Sequence, residues 1–312
     1  MRAKVSLLYR LKQGKNKMEL KRKSKANIFI AGMLLIPVAH FAVFWVAVNF
    51  NSILLAFQQL DDAGNAYFTF DNFRSISALF SKFGELRISL VNTLITWVFL
   101  VSFLLPWGFL LTYFLYKKIK LSGLWRTMLF VPALLPAVAM TSIFMYITLP
   151  GGPVGKLAGF FTEGGAPAFL NDAKYARWTI IFYIFLTNFG GQFILFSGAM
   201  SRVPKEVIES AHIDGAGMRT ELLRIVLPLC WPTISMLLLL NLAGIFTASG
   251  PVLLLTGGKV DTSTMSYYFF NSTRFLQYHV PAAVGIFFTL LLFPVVLLAR
   301  WGLSKVYANV EF

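Results

Sequence analysis

A chain of 312 residues that is 57% hydrophobic, 13% charged and of mean hydropathy +0.69 is excluded from the soluble globular class. Its formal net charge of +15 would point to nucleic acid in a soluble protein, but here the basic residues sort by loop, as shown below. The single cysteine, Cys230, excludes an intrachain disulfide framework, and no His or Cys stands near it at metal-ligand spacing.

In chain order, residues 1–26 carry ten Lys or Arg against one acid, Glu19, with no sustained apolar face. This basic stretch is too long for a signal peptide and reads as a cytoplasmic tail over 1–27. Six apolar runs follow: Ile28–Phe50, Ile88–Tyr116, Leu124–Leu149, Trp178–Met200, Leu229–Leu255 and Pro281–Leu303. At about 1.5 Å per helical residue each can cross a hydrocarbon core of about 30 Å. The expected fold is an all-α polytopic membrane domain over 28–303, with a short tail over 304–312. Prolines 106, 132, 136, 251 and 294 are expected to kink the spans, because neighbouring helices can satisfy freed carbonyls. Twenty of the 28 Lys and Arg lie in 1–27, 117–126, 201–228 and 300–312, so the positive-inside rule places both termini in the cytoplasm. On the outer side, Asn51–Arg87 contains a short amphipathic stretch, YFTFDNFRSI, and Gly151–Lys174 reads as a Gly- and Pro-rich connector.

Two chemistries are missing. GGPVGKL at Gly151–Leu157 lacks the glycine spacing and the following Ser or Thr of a phosphate-binding loop, so the chain has no ATPase motif of its own. The six spans contain no Asp or Glu, which disfavours an ion-coupled carrier, and no acid, base and nucleophile share one depth as an enzyme would need. His40, deep in the first span, reads either as a histidine hydrogen-bonded to a neighbouring helix or as a proton relay. Energy is therefore expected from outside the chain.

What a solute path would need is present. The fourth span carries Thr187, Asn188, Phe189, Gly190, Gly191 and Gln192 at its midpoint. The fifth carries Asn241, Gly244, Phe246, Thr247 and Ser249, with 241, 244 and 247 on one helical face. Amides and hydroxyls without charge, flanked by aromatic rings, suit a neutral sugar. The same residue types also serve as close-packing and interhelical glue.

Between these spans runs a polar stretch, Val203–Pro232. Pro204 can start a short helix over Lys205–Ala211, Asp214-Gly215-Ala216-Gly217 breaks it, and Asp214 can cap a second short helix, Arg219–Val226, that Pro228 stops. The result is either a rigid cytoplasmic knob continuous with spans four and five or a solvated loop. Glu209-Ser210-Ala211, Asp214-Gly215-Ala216, Ile225, Leu227 and Pro228 resemble the EAA loop of binding-protein-dependent ABC importer permeases. Ser210 replaces the usual alanine, and Leu222 stands where an aromatic is common. Gly198, Val203-Pro204, Asp71-Asn72-Phe73, Asn92-Thr93, Gly123, Arg126, Pro132 and Thr256-Gly257-Gly258 extend the likeness to the carbohydrate branch, found in glycerol-phosphate, lactose and maltose importers.

The resemblance implies a type I importer permease of a prokaryotic inner membrane. It implies pairing with a second, similar permease, two ATPase subunits below that bind ATP and magnesium, and an extracytoplasmic solute-binding protein above. Glu209, Ser210, Ala211, Asp214, Gly215, Ala216 and Gly217 would form the coupling helix and turn. The solute would be a sugar or oligosaccharide, or a glycerol-phosphate ester, which would call for basic residues near the midplane; this subunit has none there, and the partner permease could supply them.

Overall fold

A computed structural model describes residues 25–81, 84–162, 165–247 and 250–307, so most of the basic tail and residues 308–312 of the terminal tail lie outside the described residues. The chain divides into two compact units, Met1–Thr69 and Phe70–Phe312. Six helical runs are long and apolar enough to cross a membrane: Lys25–Ala56, Glu85–Tyr116, Ala137–Gly159, Ala173–Met200, Met218–Ala243 and His279–Val306.

In the first unit, α1 (Lys25–Ala56) is the first of these runs, with a widened π turn at Ala42–Ala47. Its apolar side chains, such as Ile28, Leu35 and Phe44, are exposed, as lipid-facing groups would be. His40 lies against the ring of Phe44, one turn along its own helix, with 4.7 Å between centroids. The all-α expectation needs one correction here. An antiparallel hairpin, β1 (Gln58–Leu60) with β2 (Ala66–Phe68), follows α1. Asp61 makes its turn by accepting the backbone N–H groups of Ala63 and Asn65 at 3.0 and 2.7 Å, the means by which Asx residues close tight turns. The Asn65 N–H holds the Asp61 carboxyl below the usual carboxylate range.

The second unit opens with α2 (Asp71–Ser81), which takes up the later half of the expected amphipathic stretch, Asp71–Ile76, whereas Tyr67 and Phe68 of that stretch lie in β2. Helix α2 packs against the last helix, α12 (His279–Val306), where Phe80 meets Phe288 at 6.3 Å between ring centroids. Helix α3 (Glu85–Tyr116) carries a π turn at Leu100–Leu104 just before Pro106. The expected third span, Leu124–Leu149, is not one helix. It is α4 (Ser122–Leu134) and α5 (Ala137–Thr148), and the chain then turns into α6 (Pro153–Gly159). Pro136 is the reason: its ring disfavours helical backbone at the preceding residue, and Leu135 is extended with ψ 141°. Pro132, inside α4, leaves that helix continuous.

Helix α7 (Ala173–Met200) is unbroken and is capped by Asp172, whose side chain accepts the Lys174 N–H at 2.9 Å. Helix α8 (Lys205–Ile213) leads through a sharp turn into α9 (Met218–Ala243). A second correction falls here. Pro228 does not stop a short helix, because α9 runs through it. The π turn at Glu221–Val226 lies immediately before Pro228 and widens the backbone where a proline ring would otherwise crowd the preceding turn. The expected fifth span, Leu229–Leu255, instead ends at Gly244, and α10 (Gly250–Leu255) is separate. Last before α12 comes α11 (Met265–Arg274).

The core sits where α3, α7, α8 and α9 converge. Leu105, Phe109, Tyr113, Phe196, Met200, Ile208, Val226, Cys230 and Ile234 form one buried cluster, and Cys230 serves there as a small apolar packing residue. Small residues set the helix spacing. A Cβ on Gly190 would come within 2.8 Å of Ala133 Cβ, and one on Gly108 within 3.0 Å of Gln192 Oε1.

Candidate functional site

Two features stand out, one at each end of α9. At the Gly244 end a cavity of about 420 Å³ opens between α3, α7, α9 and the 262–266 segment. Asn188 and Asn241, predicted from midspan polarity, both line it, as do Gly244 and Thr247. Each asparagine donates its side-chain N–H to its own helix, Asn188 to Ile184 O at 2.9 Å and Asn241 to Leu237 O at 2.8 Å. Their side-chain carbonyl oxygens are thereby left able to accept hydrogen bonds.

Three predicted path residues lie elsewhere. Gln192 faces Gly108 of α3, because the missing Cβ there leaves room for an amide. Phe189 is buried with its ring tilted against Phe185 at 6.5 Å, and Phe246 packs on Phe288 at 5.3 Å. These rings fill helix contacts and do not flank the cavity. Ser249 lies outside the described residues.

Several lining residues had no counterpart in the midspan argument: Thr96 and Trp97 of α3, Arg177 of α7, and Thr262, Thr264 and Ser266. Thr262, Thr264 and Ser266 reach the cavity because the segment before Met265 folds back on α3. Asn92 donates to Asp261 O and Ser263 O, both at 2.7 Å, while Ser89 and Ser263 hydroxyls meet at 2.8 Å and Met265 N–H donates to Thr93 Oγ1 at 2.9 Å. The loop needs such a clamp. Gly257, Gly258, Val260 and Asp261 all have positive φ, and a β-branched residue at φ 51° is strained. Glycine is required at 258, where a Cβ would overlap the Tyr267 ring.

Asn92→Ala is accordingly expected to loosen this loop by about 1–3 kcal/mol, since two carbonyls, that of Ser263 buried, lose their donor. Faster tryptic cleavage after the exposed Lys259 would report it, and an unchanged cleavage rate would show the clamp to be energetically idle.

At the other end of α9 stands the helix–turn–helix knob. Ala216 N–H bonds Ala211 O at 2.9 Å and Gly215 N–H bonds His212 O at 3.0 Å, with Gly215 at φ +77°. This is the Schellman termination of α8, in which Gly215 supplies the left-handed residue and Ala211 meets Ala216. Both alanines are half-buried, whereas Glu209, Ser210, Asp214, Gly215 and Gly217 are exposed. Asp214 ends α8 and does not cap the next helix; Gly217 precedes it with extended backbone and no side-chain cap. The tip carries an apolar side chain, Ile213, that is 86% exposed.

What fixes the knob is Glu221, which sequence reasoning missed. Only 1% exposed, it pairs with Lys117 Nζ at the end of α3, 2.5 Å from Oε1 and 2.6 Å from Oε2. His212 Nε2 of α8 lies 2.8 Å from its Oε2. One buried carboxylate thus ties α8, α9 and α3 together.

The fold and these two features define a multi-pass helical membrane protein with a polar cavity at one end of a long helix and an exposed knob at the other. Residues 104–305 match the family of the binding-protein-dependent transport system inner membrane component, and the chain belongs to that family. It is 32% identical over 151 residues to the multiple sugar-binding transport system permease protein MsmF of Streptococcus mutans serotype c, covering 48% of this chain and 51% of that one. It is 30% identical over 151 residues to the sn-glycerol-3-phosphate transport system permease protein UgpA of Escherichia coli O157:H7, covering 47% and 50%. The chain spans about half the length of these relatives. A crystal structure of a bacterial ABC transporter involved in the import of the acidic polysaccharide alginate is similar in fold. Its TM-score is 0.80 at 21% identity, over 92% of this chain and 99% of that one.

Proposed function

We propose that this chain is one membrane-spanning permease subunit of an ATP-driven importer of a sugar or oligosaccharide. It would lie in a bacterial inner membrane with both termini and the knob in the cytoplasm. A second permease completes the path, two ATPase subunits bind ATP and magnesium below, and a solute-binding protein delivers from outside. The family membership over 104–305 carries this reading. Supporting it, α8 and its glycine turn form an exposed, internally bonded knob whose helix α9 reaches without a break to the cavity. A subunit docked on such a knob moves the cavity wall through a rigid helix, which is alternating access by rigid-body displacement. The relatives named as sugar and glycerol-phosphate permeases, and the alginate importer of like fold, support a polyhydroxylated solute.

Ile213→Asp tests the coupling half of the proposal. The variant is expected to keep the permease pair together and to lose at least about tenfold in ATP-driven uptake, because an apolar anchor in an interface pocket is exchanged for a buried charge. Uptake in proteoliposomes that follows an ion gradient and ignores ATP would refute the importer reading.

A further inference from the structure

Arg177 sits one turn into α7 and lines the cavity described above. Along α7, Arg177, Ile180, Ile184 and Asn188 follow one helical stripe, and all four line the same space. Among the described residues the Arg177 guanidinium has no ion-pair partner. Its Nε is shut off from water, and no described group accepts its hydrogen bond. No described Asp or Glu lines the cavity.

The composition of the spans suggests a neutral path, and in midspan that is what the asparagines provide. The wall as folded is different, because Arg177 is part of it. A half-buried guanidinium facing hydroxyls and amides, with no described carboxylate beside it, is suited to pair with an anion. The walls of a cleft of low dielectric strengthen that attraction. From Arg177 to Asn188 is eleven residues along one helix, a rise of about 16 Å. A solute spanning that interval would place its charge at Arg177 and its hydroxyls at Asn188 and Asn241.

We propose that the cavity takes an anionic, hydroxyl-bearing solute, a carboxylate or phosphate ester of a sugar or polyol, with Arg177 as the residue that selects for its charge. This rests on the permease reading and narrows its substrate class.

The test is equilibrium binding to the complete transporter, with its second permease and ATPase subunits, in nanodiscs and without the solute-binding protein. The probes are digalacturonate for a carboxylate, glycerol 3-phosphate for a phosphate ester, and maltose as the neutral control. At least one anionic probe is expected to bind about tenfold to a hundredfold more tightly than maltose, the range for one charge-assisted pair. Which of the two binds more tightly decides between carboxylate and phosphate. Arg177→Gln is expected to erase the preference and Arg177→Lys to keep part of it.

Equal binding of all three probes, binding of none, or a preference that survives Arg177→Gln overturns the proposal. Release of the second permease by Arg177→Gln also overturns it, since Arg177 would then be the partner of a carboxylate on that subunit. A complex that retains its ATPase subunits and hydrolyses ATP, yet shows no anion preference, defeats the charge assignment alone. A chain that never associates with an ATPase defeats the permease reading itself.

Discussion

Lys117→Met is expected to destabilise the permease by about 3 kcal/mol, read as a lower unfolding midpoint in detergent. The carboxylate of Glu221, 1% exposed, would lose its lysine and keep the His212 ring, 2.8 Å from Oε2, as a hydrogen-bond partner. The charge cannot escape to water, because Glu221 points into the junction of α3, α8 and α9 while its partners lie nearer the surface. Lys117 itself is 29% exposed, so the converse variant, Glu221→Gln, leaves a lysine that can still reach solvent and is expected to cost less, about 1 kcal/mol. Combining Lys117→Met with Glu221→Leu is expected to recover most of the loss, since an apolar pair of similar volume needs no compensation. If the double variant is as unstable as the sum of the single ones, the three groups do not act as a unit.

Gly215→Val is expected to abolish ATP-driven uptake while leaving the spans folded. Nothing lies within 4 Å of a Cβ placed on Gly215, so the new side chain meets no obstacle and its effect is on the backbone alone. At φ +77° a β-branched residue is strained by about 1–2 kcal/mol, enough to unwind the Schellman turn and free Ala216 from Ala211. Gly215→Asn is the discriminating control, because asparagine visits the left-handed region readily and should retain most activity. Uptake lost equally in both variants would mean that the partner needs the bare glycine surface and not the turn.

The membrane spans were legible because hydropathy over about twenty residues is a sum, insensitive to any one position. Where the helices break was not, since it depends on which proline the surrounding backbone can absorb. Pro228 reads as a stop and lies inside a helix, whereas Pro136 reads as a kink and ends one. At the site, Asn188, Asn241, Gly244 and Thr247 could be found from midspan polarity and helical phase. Gln192, Phe189 and Phe246 carry the same signal and face other helices, because phase alone does not say which neighbour a face meets. Glu221 was invisible for a related reason. Its lysine is 104 residues away, and an acid near a helix start reads as ordinary charge complementarity to the dipole. The cavity wall at Thr262, Thr264 and Ser266 depends on a loop clamped by Asn92, a contact across 169 and 171 residues that no local pattern encodes.

The pairing of α3 with α9 bears on how the molecule can move. Lys117 meets Glu221 at one end, and at the other Trp97 Nε1 donates to Asn241 O at 3.2 Å. Each pair of tie points is twenty residues apart on its own helix, a span of about 30 Å. Each helix also contains one π turn within that interval, at Leu100–Leu104 and Glu221–Val226. The extra residue that a π turn inserts on one rail is thus matched by an extra residue on the other, and the two stay in step across a full bilayer thickness. Held in register at both ends by Lys117–Glu221 and Trp97–Asn241, the two helices are expected to move together, so that a displacement delivered at the turn reaches the cavity wall.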